Sequence, residues 1–173
     1  MGKQMRIVFD RESIAERVRQ MGEEIDAYYR GEPIVIICVL KGAFLFFSDL
    51  VRAIKTPSQL DFVRLASYGN NTETSHNISF TKDVELPLEG KHVLVVEDII
   101  DTGRTIAFLL NQLRARGAKS LKVAAMIDKS ERREVGSVHA DFVGFDLDSG
   151  FIVGYGLDYA EQYRGLPDIC ELI

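Results

Sequence analysis

The sequence predicts an α/β domain built on a mostly parallel sheet, with a small extra piece from the tail. Strand-like and helix-like segments alternate between residues 33 and 128. The runs PIVIICVL (33–40) and KHVLVVE (91–97) are rich in consecutive apolar residues, as strands buried on both faces are. A chain of 173 residues suffices for one domain, expected to span 1–173, with a core that needs no disulfide or metal staple.

The elements follow in order. Ser13 with Glu16 forms a capping-box pattern, which predicts a helix start. Ile14, Val18, Met21, Ile25 and Tyr28 fall on one face of that helix, and Gly31 closes it. After the buried strand 33–40, AFLFFSDLVRAI (43–54) reads as a largely buried helix that ends before Thr56-Pro57. LDFVRLASY (60–68) is a further strand. GNNTETSHN (69–77) has no apolar anchor and is expected to be a mobile loop, in the place of a lid. ISFTKDVEL is expected to form a hairpin arm. Beyond the strand 91–97, Ile106, Leu109, Leu110 and Leu113 define a helix ending at Gly117. SLKVAAMID (120–128) is another strand, and DFVGFDL and FIVGYGLDY are short strands broken by glycine.

Charge and cysteine usage narrow the function classes. The formal net charge of −5 gives no sign of nucleic-acid or anionic-membrane binding. No apolar run approaches the length of a membrane span. Cys38 and Cys170 lie outside any CxxC or Cys/His ligand spacing and read as reduced, structural thiols. With no signal-peptide pattern in MGKQMRIVFD, the expected compartment is the cytoplasm. His76, His92 and His139 show no metal spacing.

The chemistry concentrates in VLVVEDIIDTGRT (93–105), where an apolar strand runs into three carboxylates and a Thr-Gly-Arg-Thr turn. Ligands of open α/β sheets bind beyond the carboxyl ends of the strands. Glu97 and Asp98 are placed at such an end, with Asp101 in the turn. That turn leads into a helix N-terminus, whose free N–H groups and dipole favour a phosphate. Gly103 allows close backbone approach, and Thr102 and Thr105 add hydroxyls. Phosphate and carboxylates repel unless a group between them satisfies both. Sugar hydroxyls do so, and so does Mg²⁺. The spacing therefore suggests a ribose phosphate, with Asp101 left to handle a proton. Two blander readings stay open: Asp101 or Thr102 merely caps the helix while the other acids are solvated, or the acids form a Mg²⁺-binding receiver site with a phosphoacceptor aspartate.

VVEDIIDTGRT also closely resembles the phosphoribosyl-pyrophosphate (PRPP) signature of type I phosphoribosyltransferases. With LKG at 40–42, ASYG at 66–69, Lys129 and GFIVGYGLDY at 150–159, the chain from about residue 7 onward is similar to the bacterial hypoxanthine-guanine branch of that family. The resemblance implies the family's fold, with a hood from the chain termini and a mobile lid. It also implies transfer of ribose 5-phosphate from PRPP to a 6-oxopurine, hypoxanthine and/or guanine, with Mg²⁺ as cofactor. By that resemblance Leu40, Lys41 and Gly42 form the pyrophosphate loop, often with a cis peptide before the lysine, and Ser67 and Tyr68 begin the lid. Glu97 and Asp98 hold the ribose hydroxyls and Mg²⁺, and Asp101 is the general base or acid at purine N7. Thr102, Gly103, Arg104 and Thr105 form the 5′-phosphate loop. Lys129 donates to the purine 6-oxo group, Phe151 stacks on the base, and Ile152 contacts it through its backbone. Asp158 is a further Mg²⁺ ligand near the purine, and Arg164 contacts pyrophosphate.

Taken singly, several of these residues have plainer readings. Lys129 is one more solvated lysine, Phe151 a core ring, and Asp158 and Arg164 surface charges. KSERR (129–133) reads as a solvated loop. The resemblance also implies a homodimer or homotetramer. The competing function is a PRPP- or nucleotide-sensing regulator of the same fold, against which the acidic charge and the lack of spare residues for a second domain argue. A pyrimidine-acting relative is the third reading, and the surroundings of Lys129 and Phe151 oppose it.

Overall fold

In the computed structural model, which describes residues 4–68 and 77–173, the strand-helix alternation folds into two sheets. The elements are β1 (Met5–Phe9), α1 (Arg11–Tyr29), β2 (Ile34–Leu40), α2 (Phe44–Ala53), β3 (Ser58–Tyr68), β4 (Asn77–Lys82) and β5 (His92–Ile100). They continue with α3 (Arg104–Ala115), β6 (Ser120–Asp128), a 3₁₀ turn at Ser130–Arg132, β7 (Phe142–Asp146), β8 (Ile152–Val153) and β9 (Ile169–Leu172). Of the loop expected at 69–77, residues 69–76 lie outside the described residues, and Asn77 is instead the first residue of β4.

The main sheet has six strands in the order β4-β3-β2-β5-β6-β7. All neighbours are parallel except β3 and β4, which form the expected antiparallel arm. From β2 the chain moves outward to β3, then returns to place β5 on the other side of β2. The strand order thus reverses between β2 and β5, and α/β sheets bind ligands beyond the strand ends at such a reversal.

Both faces of the sheet are covered, so its central strands carry continuous apolar runs. Ile34, Ile36, Cys38, Leu94, Val96 and Met126 pack on one face with α1 and α2. Val35, Ile37, Val93, Val95 and Val123 pack on the other with Ile106, Leu109 and Leu113 of α3. No helix of the described residues is long and apolar enough to cross a membrane.

Local details depart from the sequence reading. The cap of α1 is Asp10, whose extended backbone lets Oδ1 accept from the Ser13 amide at 2.8 Å. A carboxylate there also meets the positive end of the helix dipole. Glu16, freed from the capping role, pairs with Arg19 on the exposed face. Tyr29, one position beyond the expected Tyr28, is the buried ring, because it follows Ile25 by four residues and stays on the core stripe. Tyr28 is 49% exposed and meets Tyr29 edge-on. Arg30 precedes Gly31 in the left-handed region, so two residues close the helix. Leu110 is only partly buried.

The hood is a three-stranded antiparallel sheet ordered β1-β9-β8. It pairs Met5 with Leu172 and Ile152 with Glu171, joining both ends of the chain above the sheet. The sequence reading expected a tail piece, and the family resemblance a hood from the chain termini; neither gave the bounds of β1 or β9.

Candidate active site

Strand β5 pairs with β2 only as far as Cys38 opposite Val96, yet continues beside β6 to Ile100. Glu97 and Asp98 are therefore inside a strand rather than at its tip, at the point where the sheet loses one neighbour. The side opened there is occupied by the turn after β2. The Leu40–Lys41 peptide is cis. A Cβ on Gly42 would sit 1.7 Å from Asp98 Oδ2, so only glycine allows this turn to approach the acid so closely. Gly156, at φ 98°, meets Gly42 from the other side, and a Cβ there would lie 2.1 Å from the Gly42 carbonyl oxygen.

Glu97 is 7% exposed, and its Oε1 accepts from the Asp98 amide at 3.0 Å. Asp98 Oδ1 accepts from the Ile99 amide at 2.7 Å. Burial, with the Asp98 charge beside it, holds the Glu97 carboxyl well above the usual range. Burial also raises Asp98. The same burial, with both acids nearby, pushes the Cys38 thiol up to about 12, consistent with an inert structural thiol.

Two cations belong to the turns that meet here, Lys41 next to Gly42 and Arg164 bound to Gly156. Lys41 Nζ is 2.9 Å from Glu161 Oε2. Arg164 donates from Nη1 to the Gly156 carbonyl at 2.7 Å and lies 3.1 Å from Asp158 Oδ1. Asp158 Oδ2 also accepts from the Glu161 amide at 2.8 Å. The expected cation Arg164 and acid Asp158 are thus partners of one another. Among the described residues no three His, Cys, Asp or Glu side chains converge as a ready metal cage. The adjacent oxygen donors Glu97, buried, and Asp98, partly buried, nevertheless fit Mg²⁺, which binds through one or two carboxylates and completes its shell with waters and substrate phosphates.

The turn after β5 forms a second wall. Gly103, at φ 85°, is the N-cap of α3. Thr102 Oγ1 accepts from the Arg104 amide at 3.4 Å. Glu97, Asp98, Asp101, Thr102, Gly103 and Thr105 line a pocket of about 240 Å³ at the start of α3. The expected phosphate loop is therefore one concave surface, with Arg104 pointing away from it to pair with Glu134.

A larger cleft of about 590 Å³ opens alongside, lined by Asp98, Asp101, Lys129, Phe151, Ile152 and Asp158 among others. Lys129 is 5% exposed, so it is not a solvated lysine, and its Nζ donates to the Gly150 carbonyl at 2.7 Å. Phe151 is 52% exposed and meets Tyr159 edge-on, its ring free of the core. Ile152 is buried in β8, held by β9. Asp101 lines both cavities. Its Oδ1 is shielded from solvent without an aligned hydrogen-bond donor, although the Arg132 guanidinium lies 3.1 Å away.

Ser67 is exposed near the end of β3 and lines neither cavity; Tyr68 follows it as the last residue of that strand. Sequence reasoning missed Arg132 and Arg133 by assigning KSERR to solvent. Arg132 lines the larger cleft, and Arg133 is nearly buried against Asp128. An arginine five residues after the aspartate that ends β6 was the available signal.

The phosphoribosyl transferase domain family matches residues 6–160. The chain is 42% identical to the hypoxanthine-guanine phosphoribosyltransferase of Bacillus subtilis, covering 95% of this chain and 91% of that protein. The same identity, again over 95% of this chain, relates it to the bifunctional protein TilS/HprT of Listeria innocua, of which it spans only 25%. Among solved structures, a hypoxanthine-guanine phosphoribosyltransferase from Bacillus anthracis superposes with a TM-score of 0.93 at 42% identity. That superposition covers 99% of this chain and 100% of the other.

Proposed function

The chain belongs to the phosphoribosyl transferase family, and we propose that it transfers ribose 5-phosphate from PRPP to hypoxanthine or guanine, giving IMP or GMP and pyrophosphate. The observation that carries this reading is Asp101, a carboxylate shared by a phosphate-sized cradle and a base-sized cleft. A group that must serve both sugar and base belongs where the two substrates meet.

The residues divide the work. The first-turn amides of α3 and the hydroxyls of Thr102 and Thr105 receive the 5′-phosphate. Glu97 and Asp98 accept from the ribose hydroxyls and would hold Mg²⁺ together with substrate oxygens. When bound, Mg²⁺ neutralises charge growing on the departing pyrophosphate. Lys41 and Arg164 face the same leaving group from the protein side.

Phe151 offers a ring face to the purine, and Lys129 offers a buried ammonium to a 6-oxo oxygen. As the purine nitrogen bonds to the anomeric carbon, the bond from that carbon to pyrophosphate breaks. Asp101 takes the proton that the base gives up. Acid-base help of this kind typically supplies roughly 10²–10⁴-fold.

The test is product formation with Mg²⁺ and PRPP, supplying hypoxanthine, guanine, xanthine, adenine or uracil in turn and resolving nucleotides by chromatography. IMP or GMP formation, lost on chelating Mg²⁺, is expected. PRPP binding with no nucleotide from any base would refute the transferase reading and leave a sensor of PRPP.

A further inference from the structure

Three main-chain carbonyl contacts of the phosphate turn are made by one short segment. Arg133 Nε donates to the Asp101 carbonyl at 3.2 Å. The amides of Glu134 and Val135 both donate to the Thr102 carbonyl, at 2.9 and 3.1 Å. In a trans peptide the C=O and N–H point in opposite directions. Holding these two carbonyls from one side therefore turns the amides of Thr102 and Gly103 toward the other, where a phosphate would sit.

Arg133 anchors this arrangement. Its side chain is 10% exposed, its Nη1 donates to the Val138 carbonyl at 2.9 Å, and its Nη2 pairs with Asp128, itself 11% exposed. Its stem runs directly beneath the N-cap of α3, for a Cβ on Gly103 would lie 2.8 Å from Arg133 Cδ. Asp128 ends β6 and immediately precedes Lys129, whose amide donates to the Ile100 carbonyl at 2.9 Å. One guanidinium thus ties the wall that faces the base to the turn that faces the phosphate.

We propose that Arg133 is a positioning residue for PRPP: through its bonds to Asp128, Val138 and the Asp101 carbonyl, it aims the turn's amides at the 5′-phosphate. The inference rests on the phosphoribosyl-transfer reading of the site. A lysine at this position keeps a charge near Asp128 but lacks the planar fork that reaches several acceptors at once.

The experiment compares wild type, Arg133→Lys and Asp128→Asn by steady-state kinetics, with thermal melts to confirm folding. For Arg133→Lys, the KM for PRPP is expected to rise about tenfold or more while the KM for hypoxanthine stays within about twofold. Asp128→Asn leaves Arg133 an uncharged acceptor and moves the same KM in the same direction by less. It carries the test if the lysine variant does not fold. A lowered melting temperature with an unchanged KM for PRPP, or equal changes in both KM values, overturns the inference and leaves a structural salt bridge. If wild type itself forms no nucleotide, the transferase reading has failed separately. Calorimetric titration with ribose 5-phosphate then decides on Arg133: tenfold weaker binding to the variant upholds its role, and unchanged binding overturns it.

Discussion

Replacing Lys129 by methionine tests base selection most directly. Methionine keeps an unbranched apolar stem in a position that is 5% exposed, so the burial of the stem is preserved and only the ammonium is removed. The backbone anchor from the Lys129 amide to the Ile100 carbonyl is untouched. A hydrogen bond from a charged donor is worth about 1.5–3 kcal/mol in a protein. At 1.4 kcal/mol per decade, this predicts a fall of roughly 10–150-fold in kcat/KM for hypoxanthine. Adenine presents a donor where hypoxanthine presents an acceptor, so adenine gains no such bond from the lysine and loses none with the substitution. The hypoxanthine-to-adenine preference should therefore collapse by about the same 10–150-fold factor. The Gly150 carbonyl also loses its 2.7 Å donor, so a melt should show moderate destabilisation. Steady-state rates with both bases, on protein shown to be folded, give the answer. An unchanged preference, or equal losses with both bases, would remove Lys129 from base recognition and leave it as a brace for the 150 turn.

Asp101→Asn should lower kcat by roughly 10²–10⁴-fold with little change in the KM for PRPP, since the amide retains the shape but cannot take a proton; equal losses in kcat and affinity would assign it to binding. Glu97→Gln should melt at a higher temperature than wild type in metal-free buffer at neutral pH while losing transferase activity. The folded state raises the pKa of this carboxyl, so the stability it contributes is full below its ordinary 4.5 and is lost as pH rises through the raised value. The glutamine stays neutral throughout, and the gap between the two melting curves should close as pH falls toward 4.5; a variant less stable at neutral pH would contradict this. Gly156→Ala places a Cβ 2.1 Å from the Gly42 carbonyl at a backbone φ of 98°, and should cost at least about 2 kcal/mol by denaturant unfolding while weakening PRPP binding. A variant of wild-type stability would show that the 42 and 156 turns can separate freely.

Sequence order served well wherever the physics was local. Runs such as IVIICVL and the periodic Ile106, Leu109 and Leu113 reveal a strand and a helix because burial repeats with the geometry of each. The acid cluster and the glycine before α3 were legible because strand, turn and helix start are contiguous. Burial and pairing contributed by distant segments were less legible. The extension of β5 to Ile100 depends on β6 continuing beside it after β2 has ended. The fate of KSERR depends on Asp128 and on two carbonyls some thirty residues earlier, neither of which leaves a periodic mark in that pentapeptide. The cap of α1 was misplaced because Ser13 with Glu16 satisfies the capping-box pattern, whereas Asp10 caps the helix through an extended backbone that the pattern does not record.

The hood gives the two halves of the site different sequence separations. The phosphate turn and its acids come from a strand, a turn and a helix that are neighbours in the chain, whereas the base-facing Ile152 hangs on β9, and β9 on β1. Closing that circuit brings Met5 to Leu172, a loop that spans nearly the whole chain and carries a correspondingly large entropy cost. On the proposed reading, a chain whose central sheet has formed but whose hood has not would keep its phosphate turn and lack a platform for the purine. Purine binding on that reading then depends on the two ends of the chain meeting.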